Sequence, residues 1–204
     1  MLRRLINIAV SASIASFASP AFSGSDDVNG FQGLQWGAKE EDVYDKYQGK
    51  IRKAICTSIT EFSAKAFHHV CDHPVLDNYE VVGIPFSLSF YLTEDTRRLD
   101  GVALFYSGKI GTSDSQQWPR MLDEWSKKYR SLREALNEKY GELYVEVFSP
   151  AKNTGFAMAD AIWKRGNTEI SLTAKLSQGG RYTDPSQDFS IHYRPTPTGD
   201  AAKL

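Results

Sequence analysis

Trp118, Met121, Leu122, Trp125, Tyr129, Leu132, Leu136 and Tyr140 recur in steps of three and four along residues 116–140. That spacing gathers large apolar side chains on one stripe of a single helix and leaves charged residues on the opposite face. A helix this long and one-sided cannot bury its stripe alone, so it needs a second layer to cover. Ser115 falls where an N-cap belongs, Pro119 suits the first turn, and Gly141 sits at the C-terminal cap position. The aromatic stripe is read as packing onto a sheet.

The rest of the chain supplies that sheet. Phe86, Leu88, Phe90 and Leu92 alternate with Ser87, Ser89 and Tyr91, the period-two pattern of a half-buried strand. Leu99 to Tyr106 returns after the polar stretch Glu94 to Arg98, which predicts an antiparallel hairpin. Residues 142–148, 156–163, 168–176 and 188–193 also read as strands. Arg165-Gly166-Asn167 makes a tight turn between the middle two, and Gly179-Gly180 with Asp184-Pro185 marks a longer loop. A short helix is expected over Ala38 to Tyr47. Val43 and Tyr47 lie at i, i+4 spacing, Glu40, Glu41 and Asp42 favour the dipole in the first turn, and Gly49 is a natural stop. Residues 51–62 are β-branched and alternating, and are expected to pair with residues 66–76.

The order is helix, four strands, helix, four strands. The predicted fold class is α+β, built as tandem helix-plus-antiparallel-sheet units (α-β4-α-β4) with the helices on one face. The domain spans 31–194, in halves 31–110 and 115–194. One larger sheet with both helices on the same side is the alternative arrangement. A weak tract repeat supports two halves: Trp36-Gly37 with Asp45 to Gly49, against Trp118-Pro119 with Glu138 to Gly141. Residues 24–30 read as a flexible terminus and 195–204 as a disordered tail.

Trp36-Gly37, Glu40-Glu41 and Val43 open the domain, Tyr140-Gly141 ends the long helix, and the hairpin IPFSLSFYL…LDGVALFY lies between. In this combination the chain resembles small exported bacterial proteins with helix-plus-meander modules. These are the β-lactamase inhibitor proteins and the small lipoprotein of the outer-membrane assembly machinery. The resemblance covers most of residues 31–193, and it departs from the lipoprotein in lacking a lipidated cysteine. It implies an interaction or envelope-associated module.

Residues 1–23 have the layout of a secretory signal peptide. Arg3 and Arg4 precede an apolar stretch of about 14 residues, shorter than the roughly 20 of a membrane span. Pro20 breaks that stretch, and small residues then fit cleavage before Gly24 or before Phe22. Cleavage near Ser23 removes two arginines and no acid, moving the formal charge from −1 to −3. A periplasmic or secreted location follows as the expectation, with neither membrane span nor lipid anchor. In an oxidising compartment Cys56 and Cys71 are expected to form a disulfide, worth about 3 kcal/mol for a loop of this length.

Near-neutral charge, with a sequence pI of about 6.4, gives no case for a nucleic-acid partner. There is no Gly-x-Ser-x-Gly elbow, His-Glu-x-x-His pair or phosphate loop, and no cofactor is implied. His192 with Asp188 and Glu169 could make an acid/base trio, but any globular chain rich in acids offers such sets. The four tryptophans are read as core rather than as a ligand groove. One cluster stands out: His68, His69 and His73, with Cys71 and Asp72 between them. On a strand His69, Cys71 and His73 would share a face, which makes His68, His69 and His73 candidate zinc or copper ligands. Against this, His69 and His73 would lie about 13 Å apart on an extended strand. The expectation is therefore a non-enzymatic exported module binding another envelope protein or a small ligand. The alternative is a metal-binding protein or hydrolase centred on the three histidines.

Overall fold

The computed structural model describes residues 29–110, 115–150, 155–179 and 184–196. The expected signal segment, residues 24–28 and the tail from 197 lie outside the described residues. Gly30, assigned to the flexible terminus, is already paired: β1 (Gly30–Phe31) and β2 (Leu34–Gln35) make a minimal hairpin. At the other end Pro195 closes the last strand, and the Thr196 N–H donates to the Asn167 carbonyl.

After that hairpin come α1 (Glu40–Lys46), β3 (Ile51–Lys53), α2 (Ser58–Ala66), β4 (Pro74–Val81), β5 (Ile84–Leu92) and β6 (Leu99–Lys109). A 3-10 turn at Ser115–Gln117 leads into α3 (Trp118–Tyr140). The second half is β7 (Val145–Pro150), β8 (Phe156–Arg165), β9 (Thr168–Ser177) and β10 (Ser186–Pro195). Gly166 takes a φ of 55° in the β8–β9 turn, where the left-handed backbone suits glycine. Strands β3 to β10 form one antiparallel sheet in the order β3-β4-β5-β6-β10-β9-β8-β7. Two meanders thus meet through their last strands, with Tyr106 opposite Phe189 and Val102 opposite Tyr193. The protein is α+β, and the eight strands are one sheet, not two.

Alternation decides which face is covered. Leu88, Phe90, Leu92, Val102, Leu104, Ile170, Leu172, Phe189, Ile191 and Tyr193 are buried on one side. The long helix crosses β8 and β9, where Ala157, Ala159, Ala161 and Ala174 are buried beneath it. Small residues there leave depth for Trp125 and Tyr129, both buried. The Trp163 indole donates to Asn137 Oδ1 at 2.8 Å, and Tyr140 meets Tyr193 edge-on. At the other end Tyr47, which caps α1, lies against Phe90, and Phe31 packs on both Phe90 and Tyr193. α1 and α3 therefore cover the same face. Trp118, Trp125 and Trp163 are buried, and Trp36 packs against the core while its indole donates to Thr168.

One segment departs from the sequence expectation. Residues 51–62 and 66–76 are not paired strands: β3 stops at Lys53, β4 begins at Pro74, and α2 lies between. The reason is local. Thr57 Oγ1 accepts from the Thr60 N–H while the Thr57 N–H donates to Thr60 Oγ1, a reciprocal cap that starts a helix. The Glu61–Lys65 pair adds i, i+4 support. The β-branched alternation was not a core signal, since Ile55 and Phe62 are 81% and 77% exposed. No described side chain of α2 is fully buried.

Candidate functional site

α2 lies on the side of the sheet that α1 and α3 leave bare. On this face Ser89 lies opposite Ala103, both buried, and His192 lies opposite Ser171. At the end of the face Tyr91 lies opposite Gly101, whose missing side chain leaves a hollow beside Tyr91. A Cβ at Gly101 would meet only ordinary contacts, at 3.5 Å or more, so glycine is not forced by crowding there. Thr60, Ser63, Ala64 and Phe67 of the α2 segment form the opposite wall. The result is a cleft of about 610 Å³.

The Cys56–Cys71 disulfide holds that wall in place, with the two Cα atoms 5.5 Å apart. Backbone bonds close the rest of the segment: Ala54 to His73, His69 to Ala64, and Val70 to Leu92. Arg97, in the β5–β6 turn, grips Glu40 of α1 through two nitrogens and reaches Asp72 at 3.1 Å. This guanidinium holds the Asp72 carboxyl below the usual carboxylate range.

The histidines do not lie on a strand. His68 has a φ of 55° and sits in a turn, exposed, which breaks the expected one-face alignment of His69, Cys71 and His73. His69 and His73 do come together, through Tyr91. The His69 ring stacks on it at 5.3 Å and the His73 ring tilts against it at 5.1 Å. His69 Nε2 lies 3.1 Å from Asp100 Oδ2, and this contact lowers the Asp100 pKa. Among the described residues, no group of three or more His, Cys, Asp or Glu side chains is placed to hold a metal ion.

His192 joins the same cleft from β10, with its ring edge-on to Phe105 at 5.3 Å. Its partners in the acid/base trio go elsewhere. Glu169 holds Arg194, and Asp188 meets Ser186 at 3.3 Å. Ser171 is opposite His192 in the ladder, but Asp100 serves His69 instead. The lining thus offers imidazole, hydroxyl, carboxylate and guanidinium groups around the Tyr91 and Phe67 rings. Such a set suits holding a ligand that is part polar and part flat.

Burial pulls the His73 imidazole below its ordinary value, against hydrogen bonding to the backbone of Val70 and Cys71. Burial also lowers His192, aided by the Arg194 charge. Both rings therefore resist protonation in the folded chain, while the unfolded chain takes up protons near pH 6.5. Stability from these two groups is intact above that pH and is lost as pH falls through it. Asp72, Asp77 and Asp100, whose pKa values are lowered, add a second loss below about pH 3.8. Thermal midpoints should fall between pH 7.5 and 5.5, and His73→Gln with His192→Gln should flatten that limb alone. A wild-type midpoint that holds steady across this interval contradicts the assignment.

Sequence reasoning missed Tyr91, Asp100, Ser171 and Arg194 as site residues. The only signal was indirect: Tyr91 stands on the polar side of an alternating strand, and Gly101 interrupts an apolar one. No protein-family model, curated protein or solved structure matches this chain.

Proposed function

We propose that this chain is an exported, non-enzymatic binding module of the bacterial envelope that takes its partner on the open face of the sheet. The observation that carries this reading is one-sided coverage. α1 and α3 pack on one face, while the other presents Ser87, Phe105, Thr173, Ser190 and His192 beside the α2 cleft. Phe105 is 40% exposed at the middle of that face, an apolar anchor ringed by hydroxyls. The Cys56–Cys71 bridge and the layout of residues 1–23 support export, and among the described residues no helix is long and apolar enough to cross a membrane. The meeting of the two meanders at β6 and β10 supports reading 31–110 and 115–194 as related halves.

Photo-crosslinking in living cells tests it. Benzoylphenylalanine at position 105 should yield an adduct of discrete mass, and the same group at Glu134, on the exposed side of α3, should not. Equal adducts at both positions, or none at 105, would overturn the reading. Zn²⁺ or Cu²⁺ titrated into the purified chain should show no stoichiometric binding. A one-to-one site would turn the assignment to the histidine-centred alternative.

A further inference from the structure

The two edges of the sheet are built differently. β3 is three residues long and exposes Arg52 and Lys53, the short charged form that protects an edge. β7 is six residues long, and among the described residues nothing pairs with its outer side. Val145, Val147 and Phe148 are 44%, 55% and 44% exposed. The outward N–H and C=O groups of such an edge are satisfied in register only by another extended strand.

The side-chain pattern of β7 selects the occupant. Pairing with β8 places Val145, Val147 and Ser149 on the open face, and Glu146 and Phe148 on the α3 side. On that side a groove of about 650 Å³ is lined by Trp118, Leu122, Tyr129, Arg130 and Phe148. Among the described residues Arg130 bonds only to the Ser126 carbonyl of its own helix. An incoming strand therefore needs apolar residues on the open face and a carboxylate toward the groove. A second copy of β7 has that pattern: its Val145 and Val147 lie on the open face, and among the described residues its Glu146 is held by its own Tyr129 and Arg133 through Oε1 alone, which leaves Oε2 for Arg130.

Only even registers keep both sets of side chains on their own faces. Centring the pair on Glu146 sets two carboxylates opposite each other, which is repulsive. Centring it on Phe148 draws Pro150, which has no N–H, into the ladder opposite Glu146. Centring it on Val147 avoids both: Val147 meets its twin, Val145 meets Ser149, and Glu146 meets Phe148. We propose that two copies of this chain associate through antiparallel β7–β7 pairing about a two-fold axis at Val147, an isologous contact.

Light scattering of the purified chain over a concentration series should give twice the chain mass. Val147→Lys places two ammonium groups together on the axis. It should yield a monomer with unchanged circular dichroism, because the side chain is exposed. Val147→Cys should lock the dimer through a new disulfide under oxidising conditions, while Glu134→Cys should not. A wild-type monomer, a dimer that survives Val147→Lys, or a dimer that Val147→Cys fails to lock overturns the pairing. The adduct at position 105 should persist in Val147→Lys, so failure here is distinct from failure of the open-face reading.

Discussion

Trp125→Ala should lower the free energy of unfolding by about 3–5 kcal/mol, the range for deleting a large buried aromatic. Trp125 is fully buried, and its ring stacks on Tyr129 at 6.2 Å and on Phe148 at 5.9 Å. Beneath these rings lie alanines of β8, which have no side-chain length with which to close a cavity. The residual void should therefore persist and the cost should sit high in that range. In a domain of this size the loss corresponds to a fall of roughly 10 °C in thermal midpoint. The indole N–H has no acceptor among the described residues. Trp125→Phe keeps an aromatic ring and removes that orphaned donor, so it should cost roughly half as much. Urea unfolding of the three proteins measures this; equal midpoints for wild type and Trp125→Ala would refute the packing argument.

Removing the disulfide should have the second-largest effect, with a different signature. Cys56→Ser with Cys71→Ser frees a loop whose closure is worth about 3 kcal/mol in the chain-entropy model. The bridge spans a separation of 15 residues and encloses α2, which has no fully buried described side chain. Hydrophobic packing therefore adds little to hold the helix. The cap at Thr57, the backbone bonds of His69 and Val70, and the Arg97–Asp72 contact remain. Amide exchange should quicken most in residues 57–67, through local opening of α2, while β5, β6, β9 and β10 should lose only the protection that corresponds to the global loss of about 3 kcal/mol. Residues 57–67 quickening no more than the sheet would show instead that the bridge acts only on the unfolded chain. Loss of the α2 wall should also open the cleft, so a quenching agent should reach Tyr91 more readily.

The elements that could be read in advance were those with buried faces. α3 and the hairpin β5–β6 follow their periodicities closely, because each buries one side and exposes the other. α2 escaped because it buries almost nothing, so its apolar residues carry no helical period. Its usable signal was the Thr57–Thr60 cap, a local hydrogen-bond pattern rather than a hydrophobic one. The histidine cluster was visible as a run of residue types, but its geometry was not. The turn at His68 removes the strand on which a shared metal-binding face depended. Tyr91 then brings His69 and His73 together.

Local sequence determined the layers: one long amphipathic helix, a shorter acidic-tipped one, two sets of alternating strands, and a cysteine pair placed to bridge. These follow from side-chain period and capping, which act over a few residues. The tertiary structure alone decided that the two meanders join through β6 and β10 into one sheet. It also set His192 and Arg194 beside Asp100 and left β7 at the edge. The joining of β6 to β10 rests on pairings between residues 77 to 91 apart in the chain. No short-range preference encodes which strand end meets which; that choice is made when the apolar faces of both halves are buried together under α1 and α3.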